Sequence, residues 1–339
     1  MYFCSMEKIR IGIVGTNFVS DWMADGGRLD PRCELTAVFS RHEDTGHAFA
    51  QKHGIPAVFT SLEAMVRSGL VDAVYIASPN SCHCRQALTC IDAGLHVLCE
   101  KPMASNAAEV TAMSEAARRK GVVLLEAMIP ALSPVLAAVA ANMPRIGTVR
   151  RYFASYCQYS SRYDRFKRGD IANAFRPELS NGAVMDIGVY CLYPMVALFG
   201  APQDVYASAL RLSTGVDGQG TVVAQYDGFD GVAIYSKIAD SALPAEIQGE
   251  DGTITIDRIS SPRRAVFTPR DKSAPAEVLA ELSTADDPYF HEMSAFIDLI
   301  QKGGEHPLSN LRNSLATVSL IDTLRRRSAI IFPADLPLR

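Results

Sequence analysis

Long apolar runs, charge of one sign and metal-ligand spacing are all scarce in this chain. The nearest approach to the ~18 uninterrupted apolar residues of a membrane span is Ala183 to Phe199, and Asp186, two tyrosines and Pro194 break it. No transmembrane helix is expected. Lys and Arg number 33 against 37 Asp and Glu, a formal net charge of -4, which gives no general pull toward nucleic acid or anionic lipid. Met1 to Met6 lacks a cationic stretch followed by an apolar one, so no secretory signal is expected and a cytoplasmic location is. Cys82-His83-Cys84 has no second ligand pair at zinc-site spacing, and the eight cysteines, at 4, 33, 82, 84, 90, 99, 157 and 191, are scattered through apolar segments. Reduced thiols and no bound metal are the expectation. Repeats and low-complexity segments are absent too.

What is present suits two globular domains: 339 residues, 48% of them hydrophobic and 21% charged. In the first part of the chain strands alternate with helices. Lys8 to Val14 is a β-branched run that leads into Gly15-Thr16-Asn17-Phe18-Val19-Ser20 and a helix. A strand, a tight turn and a helix start make a phosphate-binding unit, because free N–H groups and the helix dipole both favour an anion there. Of Gly-x-Gly-x-x-Gly only Gly15 is kept; Asn17, which tolerates left-handed geometry, and the small Ser20 fill the other places.

The second strand, Glu34 to Phe39, ends in Ser40-Arg41-His42. It lacks the acid that usually meets a free ribose 2′-hydroxyl; donors and positive charge favour NADP over NAD, with NAD still possible. A helix from His42 to His53 closes at Gly54, and Ala57 to Phe59 is a third strand. Asp72 to Ala77, the fourth, gives out at Ser78-Pro79-Asn80 before a helix from Ser81 to Ala93. Asn80 and His83 then lie at the carboxyl edge of the sheet, on the side of Gly15.

The fifth strand, His96 to Cys99, stops abruptly at Glu100-Lys101-Pro102. A buried parallel strand that ends in an acid, a base and a proline delivers polar groups to the edge where ligands gather, and the proline restrains Lys101. A helix from Ser105 to Lys120 ends at Gly121, and Val122 to Leu125, closed by Glu126, is the sixth strand. This is a doubly wound, mostly parallel sheet.

Past Pro134 the rhythm changes. After a helical Val135 to Ala141 come alternating segments: Thr148 to Ser160, Val205 to Leu212, Thr221 to Tyr226, Val232 to Lys237, Ala245 to Gln248 and Thr253 to Asp257. They predict an open antiparallel sheet, with turns at Asp227-Gly228 and Asp251-Gly252. Helices are expected over Ala183 to Phe199, kinked or restarted near Pro194, and over Tyr289 to Gln301 and Leu311 to Arg327. The fold class is thus α/β: a Rossmann domain over residues 1–127, then an α+β domain over 128–339 whose last helix packs back on the first. Arg162 to Leu179, rich in charge, reads as a mobile loop over the site.

A dinucleotide-type strand and turn, Ser78-Pro79-Asn80 with His83, Glu100-Lys101-Pro102, and Asp186-Ile187-Gly188-Val189-Tyr190 ahead of an antiparallel sheet resemble, in that order, the Gfo/Idh/MocA oxidoreductases. The resemblance runs over nearly the whole chain. It implies that Lys101 is the active-site lysine, that the Lys101-Pro102 bond can be cis, and that Asp186 is the substrate-side acid. Tyr190 stands where many members carry histidine, which is nearer to glucose-fructose oxidoreductase, NADP-dependent xylose dehydrogenase and dimeric dihydrodiol dehydrogenase than to inositol dehydrogenase. A homodimer or homotetramer through the second sheet is implied as well, and Val232 to Tyr235 alternates as a partner-facing strand would. Where relatives continue with an aromatic and His-Pro after Glu126-Ala127-Met128, this chain has Ala131-Leu132-Ser133-Pro134, so substrate contacts there do not carry over.

Oxidising a secondary alcohol needs a hydride acceptor and a base. Tyr190 has an ordinary pKa of about 10, and an adjacent Lys101 ammonium would favour its phenolate and stabilise a developing alkoxide. Asp186, four residues before Tyr190, shares its helical face and either binds a substrate hydroxyl or holds Lys101. The expected cofactor contacts are Gly15, Thr16, Asn17, Phe18, Ser40, Arg41, Ser78, Pro79, Asn80, His83, Glu100 and Lys101. Tyr193 and Tyr289 read as core aromatics, Arg176 and Asn181 as loop residues. Two classes stand: an NADP-dependent oxidoreductase of sugars, polyols or cyclic diols, or of carbonyls or imines on the same scaffold; and a catalytically silent NADP-binding regulator or interaction protein.

Overall fold

The computed structural model describes residues 8–336; the readings made on Met1 to Met6 and Cys4 lie outside them. The first half runs β1 (Ile9–Val14), α1 (Phe18–Gly27), β2 (Cys33–Phe39), α2 (Glu43–His53), β3 (Ala57–Phe59), α3 (Leu62–Arg67), β4 (Ala73–Ile76), α4 (Asn80–Asp92), β5 (His96–Glu100), α5 (Ala107–Lys120) and β6 (Leu124–Ala127). The strands form one parallel sheet in the order β3-β2-β1-β4-β5-β6. Ile11, Ile13, Val74, Ile76, Val97 and Leu98 are wholly buried, because helices cover both faces and a two-sided core wants apolar residues at successive positions. α2 and α5 end on left-handed Gly54 and Gly121, a geometry glycine adopts without a Cβ clash. The order reverses between β1 and β4, which opens a crevice at their carboxyl ends.

The second half adds α6 (Ile129–Leu132), α7 (Pro134–Asn142), β7 (Val149–Cys157), α8 (Tyr163–Lys167), α9 (Val189–Phe199), β8 (Asp204–Arg211), β9 (Asp217–Gln225), β10 (Asp230–Ser236), β11 (Ala245–Gly249), β12 (Gly252–Ile256), β13 (Arg264–Pro269), β14 (Glu277–Glu281), α10 (Pro288–Lys302) and α11 (Leu311–Arg327). Its eight strands lie in the order β14-β13-β12-β11-β7-β10-β9-β8. The sheet is mostly antiparallel, but β7 and β10 at its middle pair in parallel, Tyr152 opposite Gly231 and Tyr156 opposite Tyr235. Five short elements escape the sequence reading: α3, α6, α8, β13 and β14. β14 is an exposed edge strand with no buried side, so it shows no alternation to read.

The helix ahead of β8 differs from expectation. It runs unbroken through Pro194, and its irregularity comes earlier, where Val184–Gly188 makes a π turn before α9. Such turns widen the helix by one residue and gather at functional positions; here the turn holds Asp186. The apolar side chains of α9 are spent on the core, with Val189, Cys191, Leu192, Tyr193 and Met195 fully buried.

Two helices from the end of the chain tie the halves together. α10 lies against α1, where Gly26 and Gly27 leave room: a Cβ on Gly26 would come within 2.6 Å of the Tyr289 Cβ. α11 packs on α5, α9 and β8. Its Asp322 accepts from the Ala107 amide at 2.9 Å and from buried Arg325 at 2.7 Å, and Arg325 also donates to Asp335 and to the Ser105 carbonyl.

Candidate active site

The phosphate turn explains its own departure from the glycine pattern. Gly15 has φ +106, and a Cβ there would stand 3.0 Å from the Ala77 carbonyl oxygen, so only glycine suits. Asn17 caps α1 through Oδ1, which accepts from the Val19 and Ser20 amides at 2.8 and 3.2 Å, while its Nδ2 donates to the Ala77 carbonyl at 2.5 Å. A second glycine would lose both links. Ser20 is fully buried, small enough for α1 to sit close on the sheet.

From this turn a channel of about 850 Å³ runs past Thr16, Ser40, Arg41, Ser78 and Pro79. Among the described residues, exposed Arg41 spends none of its donors on protein groups, whereas the Ser40 hydroxyl is already paired with that of Thr45 at 2.6 Å. The opposite wall comes from the second half: Arg162, Arg165, Asn173, Arg176 and Asn181. Residues 162–179 are not the free loop expected. They fold into α8 and two 3-10 turns pinned by buried Ala174 and Phe175, because apolar residues are spaced among the charges. The Asn80 amide donates to the Ser180 carbonyl at 2.9 Å and to Asn181 Oδ1 at 3.1 Å, fastening this strap to the start of α4.

His83 is placed differently from expectation. Fully buried, it sets one ring nitrogen 3.0 Å from the Pro102 carbonyl and the other 2.8 Å from that of Ser78. Set between the two carbonyls, it joins two strand-end turns. Burial, with the Lys101 charge, lowers its pKa, and a ring with a single N–H donates to one of the two carbonyls.

The Lys101-Pro102 bond is cis. Lys101 Nζ donates to the Asp186 carbonyl at 2.9 Å, lies 3.4 Å from Asp186 Oδ1, and stands 4.8 Å over the Tyr190 ring. Glu100 accepts from the Tyr75 hydroxyl at 2.5 Å and from the Lys101 amide at 3.2 Å, so it anchors the strand end. The other Asp186 oxygen pairs with Lys237, a buried residue just past β10 that sequence reasoning left as a strand end. The signal was the one that revealed Lys101, a lysine where an apolar strand stops. Burial alone would raise the Asp186 pKa; Lys237 and Lys101 outweigh it and hold the carboxyl well below its usual range.

Tyr190 reverses an expectation. Burial, Glu100, Glu292, Tyr156 and Asp186 push its pKa well above the ordinary value, so it is a phenol here and not a phenolate. Lys101 meets the face of its ring, and burial is the largest cause of the shift. Glu292 on α10 also went unread: it is fully buried, neither carboxyl oxygen has a hydrogen-bond partner, and burial together with Glu100 raises its pKa well above the usual range. Both oxygens avoid the full cost of an unpaired buried charge by staying protonated as one acid.

Around these groups lies a cleft of about 580 Å³, within the ~300–1,000 Å³ of small-molecule sites. Phe18, Trp22 and Tyr289 line it as well. Tyr193 is core as expected, but Tyr289 is not, since α10 crosses back over α1 and turns it to the cleft. The close approach at Gly15, the capped helix start and the open guanidinium of Arg41 fit the groups that would hold the phosphates of a dinucleotide, its 2′-phosphate included.

Both halves of the chain resemble known proteins. Residues 9–128 match the family described as "Oxidoreductase family, NAD-binding Rossmann fold", and residues 140–255 match the "GFO/IDH/MocA C-terminal domain". A scyllo-inositol 2-dehydrogenase (NADP(+)) of Bacillus subtilis (strain 168) is 47% identical over 96% of this chain and 99% of its own. The trans-1,2-dihydrobenzene-1,2-diol dehydrogenase of Mus musculus is 29% identical over 96% and 99%. Among solved structures, a 3-ketoreductase from Actinomadura kijaniata in complex with NADP and TDP-benzene superposes with a TM-score of 0.81, covering 94% of this chain and 98% of that one; at 24% identity the likeness is one of fold.

Proposed function

The chain belongs to the Gfo/Idh/MocA oxidoreductase family, and we propose that within it the protein oxidises a secondary hydroxyl of a cyclic polyol to the ketone, reversibly, with NADP as hydride acceptor. The observation that carries this reading is the meeting of Lys101, Tyr190 and Asp186 in one cleft that continues into the nucleotide channel. The 47% identity to a scyllo-inositol dehydrogenase supports the choice of a cyclic substrate.

Gly15, Asn17 and the start of α1 would hold the pyrophosphate and Arg41 the 2′-phosphate. When bound, the nicotinamide accepts the hydride and, in its oxidised form, adds a positive charge that favours proton loss nearby. Breaking the C–H bond sends two electrons and a proton's mass to the acceptor; the O–H proton must leave separately. Tyr190, a phenol in this structure, gives its proton to a carbonyl in reduction and must first surrender it to serve alcohol oxidation. Lys101 steadies the negative charge that develops on the substrate oxygen. Asp186, pinned by two ammonium groups, stays ionised and accepts from a substrate hydroxyl. Oxidation therefore quickens as pH rises and reduction quickens as it falls.

The test is turnover of scyllo-inositol followed through formation of NADPH. Lys101→Ala and Tyr190→Phe, confirmed as folded by their thermal melts, should each lose roughly 10²–10⁴-fold in kcat. Tyr190→Phe should also lose the rise of oxidation with pH. Full turnover in both variants would refute the assignment, and NADP binding without oxidation of any polyol or reduction of any ketone would favour the silent regulator. The proposal extends to two domains meeting near residue 127, a cytoplasmic location, and a homodimer or homotetramer formed through the second sheet.

A further inference from the structure

One wall of the cleft is aromatic, and the proton and hydride steps make no use of it. Phe18 and Trp22 stand four residues apart on α1 and so share a face of that helix. Their ring centroids are 4.9 Å apart at an interplanar angle of 76°, and Trp22 lies 6.1 Å from Tyr289. Phe18 and Trp22 remain 48% and 50% exposed. Single exposed aromatics need no explanation. These three adjoin one another and line the same cleft as Lys101, Tyr190 and Asp186.

The wall is also held in place. Asn17 caps α1 at one end, and the small Gly26 and Gly27 lock its other end against α10, so the indole is carried on a fixed element. The same cleft carries polar groups: Lys101, Asp186, Lys237 and Tyr190. A ligand that satisfies both sides needs hydroxyls around its rim and a flat apolar face. A six-membered ring with equatorial hydroxyls has both, because its axial C–H bonds project from the two faces. An open-chain polyol has no such face and must freeze several rotors to imitate one.

We infer that Trp22, flanked by Phe18 and Tyr289, is a specificity-determining residue that stacks on the C–H face of a six-membered polyol ring and selects rings over open chains. This rests on the reading of the cleft as a polyol dehydrogenase site.

Trp22 is the only tryptophan of the chain, so its fluorescence reports the wall directly and needs no turnover. In protein saturated with NADP, scyllo-inositol or D-glucose should shift the emission saturably, and sorbitol at equal concentration should not. Trp22→Ala should raise the KM for the ring by about 10-fold or more with kcat changed far less, and Trp22→Phe should recover most of the loss. The proposal is overturned if neither ring shifts the emission, if NADP alone produces the whole change, or if Trp22→Ala leaves the ratio of ring to chain kcat/KM unaltered. It is equally overturned if that variant only dissociates an oligomer, as seen by light scattering, with KM unmoved. The two readings fail separately. A ring that shifts the emission and is never oxidised sinks the activity and leaves the wall standing; a ring oxidised equally well by Trp22→Ala does the reverse.

Discussion

Arg41 and Lys237 are the residues whose charge has the most specific task. Arg41 sits at the end of β2 with its donors unspent on protein groups, where a 2′-phosphate would lie. Arg41→Ala should raise the KM for NADP by roughly 10- to 100-fold, the worth of a charge-assisted contact, and leave that for NAD nearly unchanged; steady-state titration of both cofactors reads the ratio. Lys237 acts through Asp186 and not on the reacting atoms. In Lys237→Met one ammonium is gone, burial regains weight, and the Asp186 pKa rises toward its ordinary value. A group whose pKa is depressed keeps its charge until the pH falls through that value, so the acid limb of kcat/KM should move to higher pH. Lys237→Arg should restore part of it, and an unmoved limb in folded protein would remove Lys237 from the site.

At the scale of elements, α11 is the clasp. Arg325 is almost wholly buried and meets Asp322, Asp335 and the Ser105 carbonyl, joining the last helix to the turn before α5. Arg325→Met leaves two carboxylates facing each other without compensation and should cost about 3–5 kcal/mol, read as a lowered Tm, with Asp322→Asn in the same chain returning part of it. The sequence made this helix legible to the residue, since Leu311 to Arg327 keeps one apolar face throughout. β1 to β6 were legible for a related reason: buried parallel strands are short apolar runs stopped by glycine or polar residues, and Glu100-Lys101-Pro102 is such a stop. Elements without a buried face of their own left no trace, as with β14. Lys237 and Tyr289 were visible as residues but not as site residues, because nothing local says which strand end or helix face meets Lys101; that is decided by the parallel pairing of β7 with β10 and by the return of α10 across α1. The direction of the Tyr190 shift was misjudged for the same cause, since its burial in the fold, and after that the approach of Glu100 and Glu292 from distant parts of the chain, raise its pKa.

At the scale of the molecule, the second sheet keeps helices on one face only. On the other, Tyr206, Val223, Val232, Phe153, Glu246, Thr255 and Val266 stand opposite one another across seven strands, an apolar stripe interrupted by one acid and one threonine. Tyr206 is 60% exposed. Light scattering should give a mass of at least two chains, and Val232→Lys with Phe153→Lys should reduce it to one while the thermal melt stays cooperative. A monomeric wild type would leave the stripe as plain surface.

The parallel pairing of β7 with β10 has a consequence for how such an enzyme can change its work. Parallel neighbours cannot be joined by a tight turn, so after Cys157 the chain must travel before it comes back beside β7 at Asp230. On that excursion it lays down the strap over the nucleotide channel, then Asp186, then Tyr190, and afterwards the two strands that finish the edge. The wall over the nucleotide channel is thereby carried on one length of chain, and exchanging residues 158–182 with those of a relative should change the KM for the cofactor while Trp22, Lys101 and Tyr190 keep their places.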